Sequence, residues 1–197
     1  YPKEIFRADI VRYLFLFKYG GLYVDMDTEC LRPVQLDSYR GGVVLGRMGQ
    51  DADFPHSIPN AIMASSPNQL FWLLVVAMAI ELVDQHTSQG DMGEQRPEKM
   101  TGPVLLKSAY DFYVGSGSES AVRKRAERVT RHVGDGSLHG PAVLLAHDTW
   151  YPVDWHNRVH SAFCTRLHAR RELLNPARCR KLFPRSELVT YWTHSWE

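Results

Sequence analysis

The chain has 197 residues, and 44% of them are hydrophobic, which is enough to bury one sizeable core. We therefore expect a single domain over residues 1–197. Its 23 basic and 22 acidic residues give a net charge of +1, so no overall field favours nucleic acid or an anionic membrane as a partner. Five basic residues lie between Arg123 and Arg131 without aromatic residues among them, and we expect them to form a solvated helix face.

Neither the cysteines nor the longest apolar run identifies the cellular compartment of the protein. Cys30, Cys164 and Cys179 show no Cys-x-x-Cys spacing, so neither a zinc knuckle nor a dense disulfide framework is indicated. A Cys164–Cys179 bridge and two buried thiols both remain open. The apolar run over residues 70–80 is too short to cross a bilayer. Because the chain opens at Tyr1 in a helical pattern, we expect a fragment, so that any anchor or targeting segment would lie upstream.

The first predicted elements are a helix and a short strand joined by two glycines. Apolar residues recur on one face over residues 4–19, which predicts an amphipathic helix. Gly20 and Gly21 end it, because glycine tolerates the left-handed turn that follows a helix. Short apolar runs then predict three strands, over residues 22–25, 43–46 and 60–64.

A long helix is predicted next, with Ser66 as its cap, Pro67 as its first residue and an end near Gln85. The polar residues 86–99 are predicted to form a surface loop. The remaining predicted elements are helices over 104–113 and 175–182, the basic helix after a link at 115–120, and strands over 142–145 and 188–196. Strands and helices alternate along the chain, which favours an α/β layered fold.

The segment from Asp9 to Asp27 carries the most specific pattern. Asp9 and Arg12 are three residues apart on the first helix, so their side chains share a face. Tyr23, Asp25 and Asp27 alternate along the predicted strand and so point the same way. The glycine turn folds the helix back toward the strand. We therefore expect these five side chains to form one site.

Two carboxylates, Asp25 and Asp27, at the end of an apolar strand predict a site for Mg²⁺ or Mn²⁺. These cations take one or two carboxylates and complete their shell with water and substrate phosphates. A metal that bridges a diphosphate neutralises the charge that develops when that group leaves. By themselves, Asp9 would indicate only a helix surface and Arg12 only an ordinary ion pair.

Two stretches, residues 7–13 and residues 19–27, resemble the signature of glycosyltransferase family 32. Its relatives include fungal outer-chain α-1,6-mannosyltransferases, mannosyl-inositolphosphorylceramide synthases, α-1,4-galactosyltransferases and, more distantly, clostridial glucosylating toxins. In these proteins the corresponding pattern contacts the donor sugar and the metal. Later blocks that resemble the family in the same order are residues 60–67, 101–103, 150–153 and 194–196.

The resemblance implies a GT-A fold, which is a Rossmann-like α/β sandwich, here without its N-terminal strand-helix unit. It implies a retaining, metal-dependent transfer of a hexose from a nucleotide-diphosphate sugar to a hydroxyl of a glycan or glycolipid. Mannose is the first expectation, with galactose, glucose and N-acetylglucosamine left open. The implied location is the Golgi lumen, through an upstream anchor, in a eukaryote and the cytoplasm otherwise.

The resemblance also implies roles for the residues of the signature. Asp27 is expected to bind Mn²⁺ directly, and Asp25 to contact the metal shell and the donor. Asp9 and Arg12 are expected to hold hydroxyls of the donor sugar, with Arg12 also near the diphosphate. No residue is expected to act as a nucleophile, because the leaving diphosphate itself assists the attack.

Residues of the later blocks are expected to complete the donor site. Tyr23 and Asn60 would line the sugar pocket, and the loop Thr101-Gly102 would contact the donor. Ser195 and Trp196 would close over the diphosphate as a lid that excludes water.

Two alternatives remain. Asp25 and Asp27 also fit a haloacid-dehalogenase-type phosphatase, with Asp25 as nucleophile and Asp27 as general acid. A phosphatase of that type needs a downstream acidic pair, typically Gly-Asp followed by a second Asp several residues later. Gly90-Asp91 leads only to Glu94 and Gly134-Asp135 leads to His139, so the pair is incomplete. The other alternative is an inactive glycosyltransferase-like domain that only binds.

Overall fold

The computed structural model describes residues 4–36, 41–116, 118–133, 137–153, 157–160 and 176–190. The strands are β1 (Gly21–Val24), β2 (Thr28–Cys30), β3 (Val43–Gly46), β4 (Ile62–Ser65), β5 (Ala142–Leu145) and β6 (Leu188–Thr190). The helices are α1 (Glu4–Tyr19), α2 (Leu70–Gln89), α3 (Pro97–Met100), α4 (Pro103–Gly115), α5 (Glu119–Val133), α6 (His147–Trp150) and α7 (Pro176–Leu182).

The turn between α1 and β1 depends on its glycines. Gly20 and Gly21 have φ angles of 65° and 90°, which glycine adopts without the steric cost paid by other residues. A Cβ on Gly20 would lie 2.7 Å from the carbonyl oxygen of Ser65, so the chain also passes too close to β4 for a side chain. The predicted helix and the turn are confirmed, and β1 begins one residue earlier than expected.

A four-stranded sheet in the order β1-β4-β3-β5 lies beside the helices. β4 runs antiparallel to both β1 and β3, whereas β5 runs parallel to β3. A separate antiparallel pair joins β2 to β6 and sets Thr28 opposite Thr190. The predicted α/β class is confirmed in this broad sense, and the sheet is mixed. β2 was not predicted, and the described part of the predicted strand over 188–196 ends at Thr190.

The central helix α2 forms most of the hydrophobic core. Its first ten residues, Leu70 to Ala79, are all buried, and α1, α4 and α5 pack against it. At 20 residues it is long and apolar enough to cross a membrane by length and composition alone. Here it is a core helix, because neighbouring helices cover its apolar surface.

The predicted start of α2 at Ser66 and Pro67 is wrong. Asn68 adopts a φ of 60°, which breaks the helix before Gln69, and its amide donates to the Phe17 carbonyl at 2.6 Å. Residues on other elements therefore determine where α2 begins, rather than a local cap.

The predicted loop over residues 86–99 is also only partly right. α2 continues to Gln89 and ends at Gly90, whose φ is 74° and whose amide bonds the carbonyls of His86 and Thr87. This left-handed cap is the ordinary way to end a helix. A 3₁₀ turn over Met92–Glu94 and the short helix α3 then follow.

The arginines of the basic helix α5 pair with acidic side chains. Val122, Ala126 and Val129 bury its inner face. Arg125 pairs with Glu81 of α2 at 2.8 Å, and Arg128 pairs with Asp84 of the same helix. The charges at this surface are thus largely compensated, as a solvated structural face requires.

Two smaller clusters complete the described core. One covers the other face of the sheet and includes Trp150 and Tyr151. The other joins Leu31, Val153, Phe183 and Val189 with Cys179, which is buried. Cys164 lies outside the described residues, so the predicted alternatives for its pairing stay open.

Candidate active site

The candidate site lies where β1 ends and where the segment before β4 passes α1. Asp25 follows the last residue of β1, and its amide donates to the carbonyl of Ala61 at 2.8 Å. That bond extends the β1–β4 pairing by one step and fixes the direction of the Asp25 side chain. Arg12 approaches the same point from the buried side of α1.

Arg12 is the central residue of the site. Its Nη2 lies 3.2 Å from Asp9 Oδ1, and its Nη1 lies 3.1 Å from Asp25 Oδ1. The same Nη1 donates to the carbonyl of Asn60 at 2.9 Å. Arg12 is 8% exposed, and its Nε is buried without a hydrogen-bond partner in the structure. The guanidinium therefore links α1 to the end of β1 and to the approach to β4.

Asp9, one turn before Arg12 on α1, is the second acidic partner of this arginine. Its Oδ2 accepts a hydrogen bond from the Thr101 hydroxyl at 2.7 Å, and its Oδ1 accepts one from Asn60 Nδ2 at 2.8 Å. Burial raises the pKa of Asp9, although Arg12 and the two hydrogen bonds favour the charged form. With 4% of its surface exposed, Asp9 lies at the base of the site.

The network continues through Tyr13, which sequence reasoning missed. Its hydroxyl donates to the Thr101 carbonyl at 2.7 Å and lies 3.3 Å from Asn60 Nδ2. The Tyr13 ring stacks on Trp72 of α2. Burial raises the pKa of Tyr13 well above its usual value. On an amphipathic helix a tyrosine next to Arg12 is typical of the core, and the signal for this role in the sequence was its position in the stretch 7–13 that resembles the family.

Tyr23 and Asp25 lie on the same side of β1, as predicted. The Tyr23 hydroxyl donates to Asp25 Oδ1 at 2.8 Å, and the Arg12 guanidinium lies 4.7 Å from the centre of the Tyr23 ring. Burial raises the pKa of Asp25, and Arg12 opposes that shift. The hydrogen bonds from Tyr23 and from Arg12 both go to Oδ1 of Asp25. Oδ2 of Asp25 therefore takes no part in the contacts with these two residues.

Asp27 reaches the site by a different route from the one predicted. β1 ends at Val24, and the Thr28 amide donates to the Asp25 carbonyl at 3.1 Å, which closes a turn over residues 25–28. The prediction that Asp27 continues the strand alternation of Tyr23 and Asp25 is therefore wrong. Burial is the largest cause of the raised pKa of Asp25, and Arg12 opposes it. The negative charge of Asp27 raises the pKa of Asp25 further. The Thr190 hydroxyl of β6 donates to Asp27 Oδ1 at 3.3 Å.

The structure thus joins most of the predicted site residues, and it adds Tyr13 and Thr190. Gly102 has a packing role: it precedes α4, and a Cβ there would lie 2.9 Å from the Cα of Glu98. This close approach helps to hold Thr101 against Asp9. Ser195 and Trp196 lie outside the described residues, and their predicted role as a lid stays a prediction.

The residues at the turn fit a small divalent cation by their chemistry. Asp25 and Asp27 offer carboxylate oxygens, which Mg²⁺ and Mn²⁺ prefer. Within the part of the chain that the structure describes, no group of three or more histidine, cysteine or acidic residues is placed to hold a metal. A pair of carboxylates is nevertheless sufficient for a cation that takes its other ligands from water and phosphate.

The phosphatase alternative gains no support from the described contacts. Asp91, the only candidate for its downstream acid that is described, bonds His86 and Gln95 next to the end of α2. Among the charged groups that act on Asp25, Arg12 lowers its pKa and Asp27 raises it. In the part of the chain that the structure describes, the direct charged partner of Asp25 is thus the buried Arg12.

Comparison with known proteins locates the similarity in the segment that builds this site. Residues 1–42 match the family described as "Glycosyltransferase sugar-binding region containing DXD motif". This segment contains Asp9, Arg12, Tyr23, Asp25 and Asp27. No solved structure gives a significant match.

Three curated relatives illustrate the range of similarity. Inositol phosphoceramide mannosyltransferase 3 of Schizosaccharomyces pombe is 59% identical over 32 residues, which are 16% of this chain and 9% of that protein. Inositol phosphoceramide mannosyltransferase 2 of the same organism is 34% identical over 76 residues, 39% of this chain and 20% of that protein. The initiation-specific alpha-1,6-mannosyltransferase of Candida albicans is 58% identical over 33 residues, 17% and 9%.

These matches confirm the resemblance to DXD glycosyltransferases over the N-terminal segment and support an enzyme of that type. The chain spans a fifth or less of the length of these relatives. The later blocks of the resemblance, beginning with Asn60, lie beyond residues 1–42.

Proposed function

We propose that this chain is the donor-binding part of a metal-dependent, retaining glycosyltransferase with a GT-A fold. It would move a hexose, mannose first, from a nucleotide-diphosphate sugar to a hydroxyl of a glycan or glycolipid. The observation that supports this most strongly is the Arg12 bridge between Asp9 and Asp25, which holds the first carboxylate of the DXD turn in place. The matched relatives are mannosyltransferases by name, which favours mannose over the other hexoses.

In this proposal Asp25 and Asp27 hold Mn²⁺ or Mg²⁺ together with the diphosphate of the donor. A bound cation would neutralise the charge that develops on the leaving diphosphate. The protein would contribute position: Asp25 is held by Arg12 and Tyr23, and Asp27 by Thr190, before the donor arrives. Because these contacts exist beforehand, little free energy would be spent on ordering the two side chains at the moment of reaction.

Arg12 has two roles in the proposal. Through Nη1 it fixes Oδ1 of Asp25, which leaves the other oxygen to face the cation. Its positive charge also offsets the carboxylates of Asp9 and Asp25. Without a cation, two buried carboxylates so close together would strongly destabilise the fold. Asp9 and Thr101 act through Arg12 as positioning residues, while their predicted contacts with the donor sugar remain part of the proposal.

The far side of the donor site would be closed from β6. Thr190 is the last residue of β6, and its hydroxyl donates to Asp27 in the DXD turn. Residues 191–197 therefore follow directly from a residue that contacts this turn. Ser195 and Trp196 follow Thr190 by five and six residues, a distance of at most about 22 Å in an extended chain. This reach supports the proposed lid over the diphosphate, which would exclude water from the reaction.

A donor-hydrolysis screen tests the proposed function. The full-length natural protein is incubated with Mn²⁺ and with GDP-mannose, UDP-galactose, UDP-glucose or UDP-N-acetylglucosamine in turn, and the released nucleotide diphosphate is measured. We expect slow, metal-dependent release from one donor, with GDP-mannose first. Failure to release nucleotide from every donor, together with failure to bind GDP or UDP, would contradict the proposal.

A further inference from the structure

Arg47, the residue that follows β3, lies at the same edge of the sheet as the candidate site, but the proposed donor site does not use it. Its side chain is half-buried. In the part of the chain that the structure describes, this side chain has neither a hydrogen bond nor an ion pair, whereas Arg12 has two acidic partners. We propose that Arg47 binds a phosphate group of a substrate and so extends the site beyond the DXD turn.

The pairing of β1, β4 and β3 determines which residues stand side by side. β1 and β3 both run antiparallel to β4, so they end at one edge of the sheet, and ligands of α/β proteins bind at such an edge. Tyr23 lies opposite Met63, and Met63 lies opposite Leu45. All three pack in the hydrophobic cluster that the sheet forms with α1, α2 and α4, so this row faces the helices.

Two residues further along each strand, the same register gives a row of Asp25, Ala61 and Arg47, which faces the helices as well. The Asp25 amide donates to the Ala61 carbonyl at 2.8 Å, and the Arg47 amide donates to the Leu145 carbonyl at 3.2 Å, so strand pairing persists at both ends of the row. Neighbouring strands are about 4.8 Å apart, which sets the Cα atoms of Asp25 and Arg47 roughly 10 Å apart. Ala61, between them, carries only a methyl group. The space in front of Asp25 is therefore within reach of the long Arg47 side chain.

The electrostatic surroundings of Arg47 agree with this placement. Burial raises the pKa of Tyr110 on α4, and the charge of Arg47 opposes that shift, so the guanidinium lies on the helix side of the sheet. The next acidic residues along the chain, Asp51 and Asp53, are exposed, and Asp51 accepts a hydrogen bond from the Asp53 amide. Among the described residues, the Arg47 charge thus has no acidic partner. A charge partly withdrawn from water is stabilised by an anion, which a ligand can supply.

Phosphate is the anion that this position fits best. The planar guanidinium donates two parallel hydrogen bonds to phosphoryl oxygens and stays charged at any physiological pH. In the proposed reaction a phosphate can come from two sources, which are the diphosphate of the donor beside Asp25 and a phosphate carried by the acceptor. The choice between these sources rests on the proposed function, whereas the binding of phosphate by Arg47 does not.

The test is calorimetry on the full-length protein with two probes. One is the nucleotide diphosphate, GDP or UDP, that the parent binds more tightly in the presence of Mn²⁺, and the other is glycerol 3-phosphate. Arg47→Gln should weaken the binding of at least one probe by about tenfold, as expected for one lost hydrogen bond to a charged group. Arg47→Lys keeps the charge without the planar fork, so it should retain part of the affinity.

Two controls separate binding from folding. Arg131→Gln removes a positive charge at an exposed position on α5 and should bind both probes as the parent does. Because the Arg47 side chain has no hydrogen bond or ion pair to lose among the described residues, Arg47→Gln should melt at the temperature of the parent when no ligand is present.

A loss of nucleotide affinity in Arg47→Gln supports the proposal and assigns the phosphate to the donor, and a loss of glycerol 3-phosphate affinity supports it and assigns the phosphate to the acceptor. Unchanged binding of both probes, equal losses in Arg131→Gln, or a parent that binds neither probe overturns the role of Arg47. The proposed function fails separately: if Asp27→Asn binds Mn²⁺ and the nucleotide as the parent does, the DXD site is contradicted, and a phosphate affinity that depends on Arg47 still stands.

Discussion

Arg12 and Asp25 are 13 positions apart in the sequence, and the guanidinium Nη1 lies 3.1 Å from the carboxylate Oδ1 in the folded chain. The pair is partly buried and is supported on one side by Asp9 and on the other by Tyr23. A planar guanidinium suits this position, because its several donors lie in a fixed geometry that one ammonium group does not reproduce. The relationship links the stability of α1 to the order of the DXD turn.

Loss of this arginine should destabilise the fold. Arg12→Met leaves the buried carboxylate of Asp9 without its charge partner, and we expect a loss of about 3–5 kcal/mol in the free energy of unfolding. Urea unfolding followed by circular dichroism measures it. Arg131→Met is the control, because Arg131 and its partner Glu127 are exposed and 3.7 Å apart, and it should change stability by less than about 0.5 kcal/mol. Equal losses in the two variants would contradict the role of the buried network.

Thr190 should matter for metal binding through Asp27. Thr190→Val removes the hydroxyl and keeps the shape of the side chain, so Asp27 loses one orienting contact. We expect Mn²⁺ affinity to fall about tenfold, as is usual when a group that supports a metal ligand is removed. Thr190→Ser keeps the hydroxyl and should retain most of the affinity. Mn²⁺ binding followed by electron paramagnetic resonance separates these outcomes, and equal affinity in the valine and serine variants would remove Thr190 from the site.

We expect the fold to lose stability at alkaline pH when the buried Tyr113 hydroxyl is deprotonated. Burial raises the pKa of Tyr113 to about 12, with a smaller contribution from Glu119, and its hydroxyl donates to the Gly140 carbonyl at 2.7 Å. In the unfolded chain a tyrosine titrates near pH 10. Since the folded pKa is the higher one, the protonated hydroxyl stabilises the fold fully below about pH 10, and this contribution is lost as the pH rises toward 12.

Tyr113→Phe should therefore lower stability at pH 8 by about 1 kcal/mol and make the fall between pH 10 and pH 12 less steep. Urea unfolding at several pH values measures both effects. Tyr19→Phe, at a position that is 69% exposed, should change stability at pH 8 by less than about 0.5 kcal/mol. A parent and a Tyr113→Phe variant with the same alkaline slope would contradict this prediction.

The phosphatase alternative makes the opposite prediction about Asp25. On the transferase proposal Asp25 is never phosphorylated, so beryllium fluoride should not bind it as a phosphate mimic. Incubation with p-nitrophenyl phosphate and Mg²⁺ should give no turnover above that of an Asp25→Asn variant. Robust turnover that disappears in this variant would favour the phosphatase.

Local patterns in the sequence predicted the parts of the site that neighbours in the chain determine. The three-residue spacing of Asp9 and Arg12 predicted their contact, and the alternation of Tyr23 and Asp25 predicted theirs. The hydrogen bond from Thr101 to Asp9 joins residues 92 positions apart, and spacing along the chain carries no information on such a contact. The resemblance alone pointed to Thr101.

Tertiary contacts also explain the errors in the predicted elements. Ser66 and Pro67 satisfy the local rules for a helix start, but the positive φ of Asn68 and its bond to Phe17 shift that start to Leu70. Asp27 fits the alternation of a strand, yet the chain turns after Val24 to bring β2 alongside β6. In both cases a contact with a distant segment outweighs the local preference.

The central claim, a DXD site that binds metal and nucleotide together, is tested most directly by calorimetry of Mn²⁺ with GDP. The parent, Asp27→Asn and Asp53→Asn are compared; Asp53 is an exposed aspartate in a surface segment and controls for the loss of one charge. Asp27→Asn removes a ligand charge at nearly constant volume, so it should fold normally and lose at least about tenfold in affinity. Asp53→Asn should bind like the parent. Equal binding by the parent and by Asp27→Asn would contradict the site.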